Sequence, residues 1–147
     1  MIQEGSFRPS SSAASPLRAV GPGWVKKYWR DGEREIFELT EPAQTYLFSF
    51  GVARLQQSSH GEFTIHAPTS DHPAAFQRTS LADAFFRSKA GTKRPTPRYA
   101  QVFLPAARGL GQEAAGMALM SEPYLAALEE KDDVYLMAHE LAHQWWG

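Results

Sequence analysis

The 147-residue chain carries 15 Lys and Arg against 16 Asp and Glu, a net charge of −1, with 43% hydrophobic and 12% aromatic residues. That balance suits a folded core and gives no general attraction to nucleic acid or to anionic membranes. The sequence contains no cysteine and no asparagine, so disulfides, thiolate metal sites and N-glycosylation sequons are excluded, and any metal must use His, Asp or Glu.

Residues 1–23 hold Pro9, Ser10, Ser11, Ser12, Pro16, Gly21, Pro22 and Gly23 and read as a flexible N-terminal segment. They lack the apolar stretch of a signal peptide, and no apolar run in the chain is long enough to span a bilayer. No membrane segment is therefore expected, and a cytoplasmic location is favoured. Residues 24–67 read as the end of a β-rich domain. Strands are predicted at 24–30 and 34–40, divided by a turn at Asp31-Gly32, and again at 45–55, where Tyr46, Phe48 and Phe50 share a face. A fourth, at 62–67, sets Phe63 and Ile65 against Glu62, Thr64 and His66, and four successive strands suggest an antiparallel sheet.

The texture changes near Pro68. Ser70 and Asp71 are capping candidates, Pro73 suits a first helical turn, and Ala75, Ala82, Phe85 and Phe86 form an apolar stripe ended by Gly91. A buried strand is predicted at 99–104 and another at 116–120, after a loop at Gly109–Gly111. Asp132 or Asp133 then opens a helix through Val134, Met137, Ala138, Leu141 and Ala142 toward Trp145.

That helix carries the chemistry. His139 and His143 lie four residues apart, which on a helix is about 6 Å along the axis and nearly one face. Two imidazoles so placed can close on one zinc ion, and Glu140 stands beside them to take a proton from water. The alternative is a surface helix with two solvated histidines. Against it stand the apolar opposite face of the helix and the tryptophan pair that follows at once. Catalytic zinc ordinarily has three protein ligands. No third follows here, so the chain reads as a fragment that requires downstream sequence to complete its site, with little activity and weak zinc affinity alone.

The nine residues His139-Glu140-Leu141-Ala142-His143-Gln144-Trp145-Trp146-Gly147 resemble the signature of the M1 family of zinc aminopeptidases, within the gluzincins. Weaker similarities cover residues 24–147. The resemblance implies His139 and His143 as ligands of Zn2+, Glu140 as general base, and peptide or protein as substrate. It places the third ligand, a glutamate, and a transition-state tyrosine beyond residue 147. It also implies an α+β fold: the end of an antiparallel β-domain at 24–67, then the first part of a thermolysin-like catalytic domain at 68–147.

Members carry a Gly-x-Met-Glu-Asn strand whose glutamate pairs with the α-amine of the substrate. The nearest counterpart is Gly116, Met117 and Ala118, the candidate substrate-binding residues, with alanine where glutamate is expected. Alanine cannot hold an ammonium group. Peptide hydrolysis is thus the expectation, and N-terminal trimming needs another carboxylate, Glu113 or Glu122. The rival reading is a non-catalytic M1-like module kept for binding peptides or proteins.

Other features read as structural. His60, His66 and His72 recur every six residues, a spacing that suits neither a helix face nor a tight metal loop. Ser70-Asp71-His72 is contiguous and has no nucleophile elbow. Arg87, Lys89, Lys93, Arg94 and Arg98 read as a solvated loop, and Glu129, Glu130, Asp132 and Asp133 as a helix start. Gly109-Leu110-Gly111 lacks the rest of a phosphate loop.

Overall fold

In the computed structural model, residues 17–22, 25–31, 34–39, 47, 49–105 and 111–146 are described. Leu17–Val20 form a strand, β1, where a flexible segment was expected. Its tetrapeptide is too short to show a period among the surrounding Pro, Ser and Gly. What holds it is an antiparallel partner, β4 (Gly51–Arg54), with Leu17 opposite Arg54 and Val20 opposite Gly51. The two early strands appear as predicted: β2 (Val25–Asp31) and β3 (Arg34–Leu39) pair antiparallel, with Asp31 opposite Arg34, and Gly32 of the expected turn lies outside the described residues. Tyr46 and Phe48 lie outside the described residues, and Phe50 is exposed.

The remaining strands build one mixed sheet in the order β5-β6-β7-β9-β8. They are β5 (Gln56–His60), β6 (Phe63–Ala67), β7 (Tyr99–Leu104), β8 (Gly111–Ala114) and β9 (Met117–Ser121). β6 and β7 run parallel, and a crossover helix, α1 (Pro73–Ala90), joins them as parallel pairing requires. The boundary expected near residue 68 therefore falls inside a single sheet, and β6 belongs with the elements that follow it. β5 and β8 were not predicted. Each is a polar edge strand (QQSSH and GQEA), and an edge needs only one ladder and little apolar surface.

Both sheet faces are covered. Phe63, Ile65, Ala67, Tyr99, Phe103, Ala118 and Met120 pack under the helices, with Leu128, Met137 and Leu141. Leu55, Val102, Ala114 and Met117 fill the opposite face, against Val20 and Ala53 of the β1–β4 ribbon. Two-sided burial explains why β7 is apolar on both faces but for Gln101.

α1 begins with Pro73 and ends at Gly91 in the left-handed conformation (φ 68°), as expected. Its capping is different. Neither Ser70 nor Asp71 caps it; instead Glu129 Oε1 accepts the Ala75 N–H at 2.9 Å. Glu129 belongs to α2 (Glu122–Glu130), a helix the sequence reading missed by taking its acidic end for the start of the next. Arg78 of α1 returns the favour, donating to the Leu128 and Glu129 carbonyls at the C-terminus of α2. Arg94 is likewise no solvated loop residue. It is 5% exposed, bonded to Asp83 and Glu62, and its guanidinium lies 5.2 Å from the Phe63 ring centroid. Among the described residues no helix is long and apolar enough to cross a membrane.

Candidate metal centre

The histidine pair sits on α3 (Tyr135–Ala142), a helix shorter than predicted: His143 follows its last residue in a still-helical conformation (φ −59°, ψ −14°). Leu136, Met137 and Leu141 bury one face of α3 in the core. Its start is fixed by Tyr124 of α2, whose hydroxyl donates to the Asp133 carbonyl at 2.6 Å and accepts the Met137 N–H at 3.0 Å. Its end is fixed by Trp145, whose indole N–H donates to the Thr92 carbonyl at 3.1 Å and whose ring lies 5.9 Å from Phe86.

Held so, the two imidazoles face one another. His139 Nε2 and His143 Nε2 are 3.3 Å apart, with the rings nearly perpendicular at 89°. Two nitrogens bound to one tetrahedral zinc at about 2.0–2.1 Å stand about 3.3 Å apart. The donor set therefore fits the ion, although one neutral ring can also donate to the other at this distance. His139 is exposed and stacks on Tyr135. Beside it opens a cleft of about 590 Å³ lined by Phe86, Val134, Tyr135, Ala138, His139 and Ala142.

Glu140 is 3% exposed, and its Oε2 has no hydrogen-bond partner among the described residues. Burial pushes its pKa above the ordinary carboxylate range; the nearby Glu113 adds to that rise, while His139 and His143 oppose it. The carboxylate lies against the backbone of β8 at Gly111, where an added Cβ would stand 2.8 Å from Glu140 Cδ. The Tyr99 hydroxyl is buried nearby without a partner, and burial together with the charge of Glu140 drives its pKa upward.

The candidate substrate strand lies inside the sheet. Met117 and Ala118 are fully buried, on opposite faces of β9, and Gly116 turns the β8–β9 hairpin with φ +70°. None of the three presents a side chain to a ligand. The residue at the site is Glu113 on the edge strand β8, paired in register with Ala118 and so on the same, helix-facing side. Glu113, Glu140 and His143 each place one ligand atom within 4.8 Å of the others. Glu122, the other candidate, heads α2 and is not in this group.

Of the remaining histidines, His60 and His72 line one cavity of about 640 Å³ with Asp71, and His66 lies apart from them. His60 is exposed against Phe76, His66 is buried, and His72 contacts the Thr69 carbonyl at 2.9 Å. Glu113 was visible in the sequence only as a carboxylate near Met117. Choosing it over Glu122 required the hairpin, whose turn residue Gly116 was read as the start of a strand. No protein-family model matches the chain.

Proposed function

We propose that this chain forms the zinc-binding core of an M1-type metallopeptidase that hydrolyses peptide bonds, built on a thermolysin-like sheet and helices. The reading rests chiefly on the 3.3 Å separation of the two Nε2 atoms, with the buried Glu140 carboxylate grouped beside His143 and its Oε2 without a partner among the described residues. His139 and His143 hold the metal. The reading includes a third ligand, which the resemblance assigns to a glutamate outside residues 1–147. Zinc, when bound, polarises the scissile carbonyl and acidifies water.

Glu140 takes the proton of that water on Oε2 and delivers it to the leaving amine nitrogen. One carboxyl beside the ligands can serve both halves of the transfer, first as base and then as acid. β8 is the last strand of its sheet among the described residues, and its outer edge offers backbone groups to an extended peptide. Glu113 supplies the carboxylate that was missing at Ala118 and pairs with the substrate's α-ammonium. The preferred substrates are then free N-termini. The rival reading, a non-catalytic relative kept for binding peptides or proteins, would use the same Glu113 carboxylate, and cleavage separates the two.

The test is cleavage of an aminoacyl anilide by the natural gene product. Chelator should abolish cleavage, zinc should restore it, and N-acetylation of the substrate should suppress it. Cleavage indifferent to chelator would refute the reading.

A further inference from the structure

Gln144 has no role in the chemistry above, yet its side chain makes two hydrogen bonds to a strand far from it in sequence. Its Nε2 donates to the Ala114 carbonyl at 3.0 Å, and its Oε1 accepts the Gly116 N–H at 2.9 Å. The primary amide thus grips both sides of the β8–β9 turn as a neighbouring strand would, using one donor and one acceptor. Gln144 follows directly on His143, while Ala114 follows directly on Glu113. The clasp therefore joins the two backbones that carry the candidate ligand and the candidate amine-binding carboxylate.

The second tether of this helix end, Trp145 to Thr92, goes to the loop after α1 and leaves β8 untouched. Among the described residues β8 has β9 as its one sheet neighbour, its turn is also tied by the Ala115 N–H to the Leu47 carbonyl at 3.2 Å, and Glu140 packs on Gly111; the clasp is the side-chain hydrogen-bonded link between this hairpin and the end of the metal helix.

We propose that Gln144 is a positioning residue: its amide sets the edge strand β8, and with it Glu113, at a fixed distance from His143. The proposal rests on the function given above for Glu113, but the clasp can be tested apart from it. In Gln144→Met, which keeps the length and loses both bonds, amide exchange in residues 111–117 rises at least tenfold while residues 135–142 stay protected. Trp145→Phe, which loses only the Thr92 bond, leaves exchange at 111–117 unchanged.

For zinc-loaded protein, Gln144→Met weakens binding of L-leucinamide about tenfold while zinc affinity stays within about threefold. Glu113→Gln weakens leucinamide binding similarly. The double variant loses no more than the worse single one, because both act through the same carboxylate. Unchanged exchange at 111–117 would overturn the clasp. So would exchange raised everywhere alike with zinc affinity lost, or fully additive losses of leucinamide binding. Wild-type protein that takes up zinc but ignores leucinamide would instead refute the role of Glu113, with the exchange measurements still deciding the clasp.

Discussion

Glu140 occupies a position that depends on what is missing opposite it. Gly111 has no side chain, and the carboxylate fills that space. Gly111→Ala adds a methyl group there, so the carboxylate or the strand must move. The expected result is a loss of peptide hydrolysis on the order of 10²-fold, the usual effect of displacing a reacting group by an ångström. Zinc stoichiometry should be unchanged. Glu140→Gln removes the proposed base outright and should lower turnover by roughly 10²–10⁴-fold, again with zinc retained. Steady-state kinetics beside metal analysis decides both. A variant that lost zinc and activity together would mean that Glu140 is a ligand or a fold determinant rather than a base.

Among the secondary elements, those with an apolar or aromatic pattern of their own were legible: β2, β3, β6, β7, β9, α1 and the core of α3. Those missed share a physical cause. β1 is stabilised by its partner β4, β5 and β8 are polar edges, and α2 is separated from α3 by only a few residues beginning with Lys131. α1 misled for a different reason. Its buried residues include Thr79 and Asp83, so its inward face is partly polar and the predicted stripe at Phe85 points outward. Thr79 accepts from Gln101 Nε2 at 3.0 Å, and Asp83 pairs with Arg94, both buried. Asp83→Ala strands a buried guanidinium with only Glu62 as counter-ion, and should destabilise the fold by about 3 kcal/mol. Replacing both partners, Asp83→Leu with Arg94→Met, should recover most of that. Urea unfolding of the three proteins provides the comparison, and equal stability of Asp83→Ala and wild type would contradict it.

For the molecule as a whole, the pH dependence of stability should expose the two-layered packing around the sheet. His66 lies on β6 and is 9% exposed; burial first, then the positive charge of Arg18 on β1, holds its pKa down at about 4. The unfolded chain binds that proton near pH 6.5. Between these values unfolding takes up a proton, so stability rises with pH across the window and is lost as the pH falls through it. The acid loss attributable to His66 is on the order of 3 kcal/mol. Thermal unfolding from pH 7 to pH 4 should therefore fall more steeply for wild type than for His66→Gln. Parallel curves would show that His66 is solvated.

At this scale the sequence revealed the α+β character and the histidine pair, because both follow from local spacing. It could not reveal that β6 and β7 share a sheet, or that Glu113 faces His143. Those juxtapositions depend on strand order and hairpin register, which no local pattern encodes.

Zinc binding to wild type, His139→Ala and His143→Ala, followed by calorimetry and X-ray absorption, bears most directly on the whole account. Wild type should take one ion with imidazole nitrogens at about 2.0–2.1 Å, and each variant should lose that uptake. Equal uptake by His139→Ala and wild type would contradict the account at its root.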